Sequence, residues 1–283
     1  MVNPSAMSLY EESSQFLFED PAVYGGELSW AVVLFLSLVG FFVQVGLGHV
    51  FDITFTSTFP TKYPAFSFTQ RLELVQNAVC FLTVCLIGPM YTVAAYDTRL
   101  TAESRWEKPS YWGHIALLIH CSNTFYDLYL YVRYFKKGPE MYLHHVLVLC
   151  NYLPTLVTGH LSHWAYWDGT VEFTNVFLCY VYIARILGYR DNIYFMIMAA
   201  MVLLSFVFIR VVGMGLWLYT WRQDLNGSPE MWARNKNIAR HSAFFTTVVL
   251  FLLSSYWLIP ITKGFLKAIG VIKKKKENNK KEN

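Results

Sequence analysis

The chain has 283 residues, of which 55% are hydrophobic, 18% aromatic and only 15% charged, with a formal net charge of +4. A soluble domain carries about 25% charged residues, so the composition excludes one and points to an integral membrane protein. The basic excess is a short C-terminal run with no aromatic platform beside it, which excludes a nucleic-acid partner.

Residues 1–27 carry Glu11, Glu12, Glu19, Asp20 and Glu27, and the first basic residue in the chain is Lys62. This acidic tail lacks the apolar core of a cleavable signal peptide, so the first apolar stretch is expected to serve as the insertion signal. Seven apolar stretches follow, at 28–48, 73–95, 111–134, 142–160, 166–187, 192–220 and 241–263. Most approach the roughly 20 residues that a helix needs to cross the hydrocarbon core. A barrel strand would show about 10 alternating residues, whereas SWAVVLFLSLVGFFVQVGLG is apolar on every side. The expected fold is therefore all-α, a polytopic transmembrane helix bundle of about seven spans. Its layout is an acidic lumenal tail (1–27), a first span with its loop (28–67), a block of about six helices (68–265) and a basic cytosolic tail (266–283). Pro89, Pro154 and Pro260 fall inside spans and are positions for kinks. Paired broken helices and a two-fold repeat, the marks of a transporter, are not evident.

Orientation follows from charge. Lys62, Arg71, Arg133, Lys136, Lys137, Arg185, Arg190 and the terminal lysines fall on one side of seven spans. Arg99, Arg105, Lys108, Arg222, Arg234, Lys236 and Arg240 fall on the other. The richer side is cytoplasmic, which makes the N-terminus lumenal and the C-terminus cytosolic. The sequon Asn226-Gly227-Ser228 then lies in a lumenal loop, where glycosylation occurs. Lys280 and Lys281 occupy the fourth and third positions from the end. They resemble the dilysine signal by which the COPI coat retrieves residents to the endoplasmic reticulum, and a basic tail on anionic lipid is the alternative. The five cysteines all lie within predicted spans without metal-like spacing, and read as packing residues.

Function must come from polar residues inside the spans, each costly in lipid unless it faces the bundle interior and finds a partner. At helical spacing they form stripes. Glu73, Gln76, Asn77 and Cys80 share a face of the second span, and His120, Thr124 and Asp127 one of the third. In the fourth, MYLHHVLVLCNYLP carries adjacent His144 and His145, about 100° apart, with Asn151 seven residues beyond His144. Glu172, Asn175 and Cys179 follow in the fifth, and Arg210 stands in the middle of the apolar sixth, with Asp127 and Glu172 as natural counter-charges. A polar core is the expectation; modest interhelical hydrogen bonding is the plainer reading of any single member.

The stretch YDLYLYVRYFKKGPEMYLHH, with an aspartate seventeen residues before a histidine pair, resembles the TLC-domain family of membrane proteins. The resemblance continues in VEFTNVF and in FVFIRVVGM around Arg210, and covers roughly 68–265. It is nearest to the smaller TLC-domain-containing branch. In the ceramide synthases of the family, the resemblance implies, the histidine pair serves acyl transfer from acyl-CoA to a sphingoid amine. His144 or His145 would then be the catalytic base or nucleophile, with Asp127 or Glu172 orienting the ring. The synthase signature also has adjacent aspartates downstream. Here HLSHWAYWDGTVEFTNVF offers Asp168 and Glu172 but no such pair, which counts against that reaction.

Three readings follow. The first is an endoplasmic-reticulum protein that binds or regulates membrane lipids, sphingolipid or phospholipid, through a cavity lined by Glu172, Arg210, His120, Asn151, Asn175 and Asn77. The second is an acyl-CoA-dependent N-acyltransferase with His144, His145 and Asp127 catalytic and acyl-CoA as substrate rather than cofactor. The third is a cargo adaptor cycling between endoplasmic reticulum and Golgi. No cofactor or metal is expected.

Overall fold

The computed structural model describes residues 28–234 and 238–269. The acidic tail, Lys280 and Lys281 lie outside them. The described residues are helical throughout, with loops and turns between the helices. In chain order they are α1 (Trp30–Thr58), α2 (Phe68–Asp97), α3 (Ala102–Glu107), α4 (Tyr111–Arg133), α5 (Pro139–Thr158), α6 (Ser162–Thr170) and α7 (Phe173–Ile186). Next come α8 (Ile193–Ser205), a π-helical segment (Phe206–Val212), α9 (Gly213–Gly227), α10 (Pro229–Arg234) and α11 (Ile238–Ala268).

Local chemistry sets several ends. Ser67 and Gln70 form a capping box that opens α2, and Thr101 with Ser104 does the same for α3. Pro139 sits in the first turn of α5, where its missing N–H costs nothing, and Gly159 closes that helix at φ 66°, a left-handed value that suits glycine. The prolines Pro89, Pro154 and Pro260 lie inside α2, α5 and α11, each of which continues past its proline.

Four rods are long and apolar enough to cross a membrane: α1, α2, the continuous α8–π–α9 rod (Ile193–Gly227) and α11. Helices α4 and α5 have 23 and 20 residues, adequate in length, but they carry the polar stripes. The fifth predicted stretch is broken into α6 and α7, of 9 and 14 residues. At 1.5 Å per residue neither half alone crosses a core of about 30 Å. The break is a tightening: the amides of Val171, Glu172, Thr174 and Asn175 each bond the carbonyl three residues back.

The connections between the described helices gather at two ends of the bundle. At one end the Lys62 ammonium bonds the Leu187 carbonyl and lies 5.3 Å from the Tyr189 ring centre, and Lys137 pairs with Glu73 at 3.3 Å. At the other, Leu161 donates its amide to the Trp106 carbonyl at 2.8 Å, and Trp217 Nε1 donates to the Trp164 carbonyl at 3.0 Å. Trp106, Trp164, Trp217 and Trp221 form a fully buried aromatic cluster there. Beside it, Arg105 grips Asp224 with two nitrogens, and Trp106 Nε1 donates to the same carboxylate at 3.2 Å.

Asp224 is 7% exposed, so its removal takes the counter-charge from the Arg105 guanidinium. Asp224→Ala is expected to lower stability by about 3 kcal/mol, read as an earlier thermal unfolding transition in detergent.

Helix α2 packs against α4 and α7, α1 against α4, and α5 against α11. The outer face of α1 leaves Phe35, Phe42, Val43 and Ile53 more than half exposed. An apolar surface of that kind is what a lipid-facing helix presents.

Candidate functional site

The tight turn between α6 and α7 and the wide turn of the π segment face each other, and each presents one charged side chain. Glu172 stands in the first and Arg210 in the second. Arg210 is 4% exposed, with a terminal nitrogen 3.6 Å from Glu172 Oε1. Its Nε donates to Thr174 Oγ1 at 2.8 Å, and the same terminal nitrogen reaches Asn175 Oδ1 at 3.4 Å. Asn175 Nδ2 in turn donates to Glu172 Oε2 at 2.5 Å. The guanidinium also lies 5.1 Å from the Phe206 ring centre. The buried cation thus has a counter-charge beside it, and two of its three nitrogens meet oxygen partners, as an intramembrane charge requires. π-helical turns insert one extra residue, often at functional sites, and here the insertion carries Arg210.

A second cluster adjoins the first. Asp168 Oδ2 accepts from Asn151 Nδ2 at 3.0 Å and from Thr247 Oγ1 at 2.5 Å, tying α5, α6 and α11 together. Among the described residues, Asp168 Oδ1 and Asn151 Oδ1 are buried and meet no hydrogen-bond partner. His144 Nδ1 and His145 Nε2 are in the same condition. The two imidazoles pack edge to face, with ring centres 5.2 Å apart; His144 also packs edge-on against Trp257 at 5.4 Å, and His145 lies tilted on Tyr131 at 5.2 Å.

A crevice runs between these groups, lined by His144, Tyr152, Asp168, Glu172, Arg210 and Ser254 among others. Its volume is about 10 Å³, which is room for roughly one water. The polar groups pack closely around this small space.

The remaining predicted residues sit apart from that space. Asp127, 4% exposed, accepts from Gln76 Nε2 at 2.9 Å and Asn123 Nδ2 at 3.2 Å, bridging α2 and α4 rather than facing Arg210. His120 Nδ1 meets the Tyr91 hydroxyl at 3.1 Å and its ring packs on Tyr152. Asn77 donates back to the Glu73 carbonyl of its own helix at 2.7 Å. Asn226 is exposed in the last turn of α9, close in sequence to Asp224 and so at the tryptophan-rich end. Asp168, Thr174, Thr247 and Gln76 complete the clusters without having been singled out as site residues. Thr174 had a signal, two positions after Glu172; Thr247 had none, since only the docking of α11 brings it to Asp168.

Among the described residues, no group of three or more His, Cys, Asp or Glu side chains is placed to hold a metal ion. The five thiols are free, with Cys121 and Cys179 buried.

Comparison with known proteins supplies a frame for this geometry. The family model described as TLC domain matches residues 72–263, which takes in every residue of both clusters and of the crevice. The chain is 24% identical over 237 residues to TLC domain-containing protein 4 of Xenopus tropicalis, covering 82% of this chain and 89% of that protein. It is 22% identical over 262 residues to the Homo sapiens protein of the same name, covering 91% and 98%.

Proposed function

The chain belongs to the TLC-domain family, and on that premise we propose that it is an endoplasmic-reticulum membrane protein that binds or regulates membrane lipids, sphingolipid or phospholipid, through its buried polar crevice. One observation carries the reading. The Glu172–Arg210 network satisfies its own charges, yet His144 Nδ1 and Asp168 Oδ1, on two residues that line the same crevice, are left without partners. A buried polar atom in that state costs about 1–3 kcal/mol, and a bound polar group removes the cost. In this reading the Lys62–Lys137 end faces the cytosol and the tryptophan-rich end, with Asn226, the lumen; the excess of basic loop residues supports it. Lys280 and Lys281 would offer the COPI coat a retrieval signal.

The test is mass spectrometry of lipids on purified protein, wild type beside a His144→Ala/His145→Ala double variant, with acyl-CoA and sphingoid base added. A lipid retained by the wild type and depleted in the variant is the expected result. Equal retention in both would overturn the reading. A second reading, the acyl-CoA-dependent N-acyltransferase, is favoured by one observation: each histidine keeps an unpartnered ring nitrogen, as a base or nucleophile must. A new N-acyl product or an acylated histidine, lost in the variant, would establish it. The cargo-adaptor reading rests on the dilysine alone, and predicts that neither lipid nor product depends on the histidines.

A further inference from the structure

Two of the polar stripes end in a cysteine that the crevice does not use. Cys80 follows Gln76 by about one turn of α2, and Cys179 follows Asn175 by about one turn of α7. The seam between these helices fixes where the two meet. At one end a Cβ on Gly88 would stand 3.2 Å from the Phe173 ring, and at the other Leu74 packs with Leu187 in one buried cluster. The runs from Gly88 to Leu74 and from Phe173 to Leu187 are equal in length and opposite in chain direction, so the seam is antiparallel, and Cys80 and Cys179 fall near the middle of both. There the two thiols are hydrogen-bonded to each other. Both are reduced; Cys179 is 4% exposed and Cys80 only partly buried. Cys80 stands roughly 18 Å from one end of α2 and roughly 25 Å from the other at 1.5 Å per residue. Since α2 is one of the rods long and apolar enough to cross a membrane, the pair lies at the depth of the hydrocarbon core. Glutathione and thioredoxin, which keep cytosolic thiols reduced, are water-soluble and do not enter that layer. A peroxide carried on an acyl chain does.

From these we infer that Cys80 and Cys179 form a modification site, an oxidisable thiol pair that a lipid hydroperoxide closes to a disulfide between α2 and α7. Cys80, the more exposed of the two, reacts first. Its sulfur attacks the terminal peroxide oxygen, the O–O bond breaks, and the thiol proton leaves with the lipid alkoxide as an alcohol. The Cys179 sulfur then attacks the resulting sulfenic acid; an S–S bond forms, and the hydroxyl departs with the second thiol proton as water. Two electrons pass from the two sulfurs to the peroxide. The new bond joins the turn after Gln76, which holds Asp127, to the turn after Asn175, which holds Arg210 and Glu172. Oxidation thus ties the Asp127 cluster covalently to the Glu172–Arg210 network. The inference needs no occupant in the crevice and stands apart from the lipid-binding reading.

The experiment treats the full chain in detergent micelles with cumene hydroperoxide, blocks the remaining thiols with N-ethylmaleimide, and maps peptides with and without dithiothreitol. A peptide crosslinked through Cys80 and Cys179 is expected, lost on reduction and formed equally in Cys85→Ala and Cys150→Ala, which remove the two exposed thiols. In Cys179→Ala the sulfenic acid on Cys80 has no resolving thiol, so dimedone should capture it there and capture much less of it in wild type. Equal capture at Cys80 in both proteins overturns the pairing. A crosslink from Cys179 to Cys85 overturns it too, as does oxidation confined to Cys85 and Cys150 with Cys80 and Cys179 still alkylated. If a variant does not fold, the wild-type peptides decide alone, because the crosslink and its absence are both read from them.

Discussion

Arg210→Met is expected to cost about 3–5 kcal/mol of bundle stability, because it leaves the Glu172 carboxyl buried without its cation. Glu172→Gln should cost a comparable amount by stranding the guanidinium, which is 4% exposed. The double variant should recover most of the loss, since a buried pair replaced as a pair is near neutral. The check is a thermal-unfolding cycle in detergent on the four proteins. Coupling of more than about 1 kcal/mol is expected of residues that share a network; additive losses would mean that the 3.6 Å pair does not hold the two helices together. Single hydrogen bonds in membrane bundles contribute about 0.6 kcal/mol on average, so the size of the loss distinguishes an ion-pair network from ordinary polar contacts.

Trp164→Ala is the second large expected effect. The indole is fully buried, with ring centres 5.1 Å from Trp217, 5.0 Å from Trp221 and 6.3 Å from Trp106. Truncating a residue of this size in a close-packed cluster costs about 3–5 kcal/mol through the cavity it leaves. Trp164 stands one helical turn before Asp168 on α6, so the damage should reach the crevice: lipid retention should fall in Trp164→Ala and be largely kept in Trp164→Phe. Circular dichroism melts and the lipid measurement on the same preparations check both parts. Unchanged retention with lowered stability would separate the tryptophan cluster from the site.

The class of fold was legible because lipid makes it so. Every backbone polar group must be satisfied within the segment, and seven apolar stretches then leave few alternatives. Boundaries were less so. Helix α1 runs on to Thr58, well past the apolar stretch ending at 48, and its polar last turns are held by Tyr63, which donates to Asp52 Oδ1 at 2.5 Å. The break between α6 and α7 and the π turn at Phe206–Val212 left no mark in the sequence, since both are adjustments of one residue in an otherwise helical pattern. Both adjustments matter for the site, because they turn Glu172 and Arg210 toward each other.

The site was legible in part for the same physical reason. A lone arginine in an apolar helix requires an acid, and the sequence offered Asp127 and Glu172. The structure places Glu172 beside it and turns Asp127 toward Gln76, 51 residues earlier in the chain. Helical spacing identifies which residues share a face but not which helix that face meets. Asp168 illustrates the limit: its partners stand 17 and 79 residues away, and only the packing of α5, α6 and α11 joins them. The different neighbours of His144 and His145 follow from the 100° step of a helix, Trp257 for one and Tyr131 for the other, yet the two rings also meet edge to face at 5.2 Å, which spacing alone does not reveal.

The most direct measurement of the central claim is photocrosslinking of the protein in vesicles with a lipid that carries a photoreactive group close to its headgroup, followed by peptide mapping. Adducts are predicted on the segments 141–154, 166–175 and 206–214, which hold His144, Asp168, Glu172 and Arg210, and they should disappear in the His144→Ala/His145→Ala variant. Adducts confined to lipid-facing surfaces such as the outer face of α1, equal in both proteins, would contradict the claim that a lipid headgroup enters the crevice.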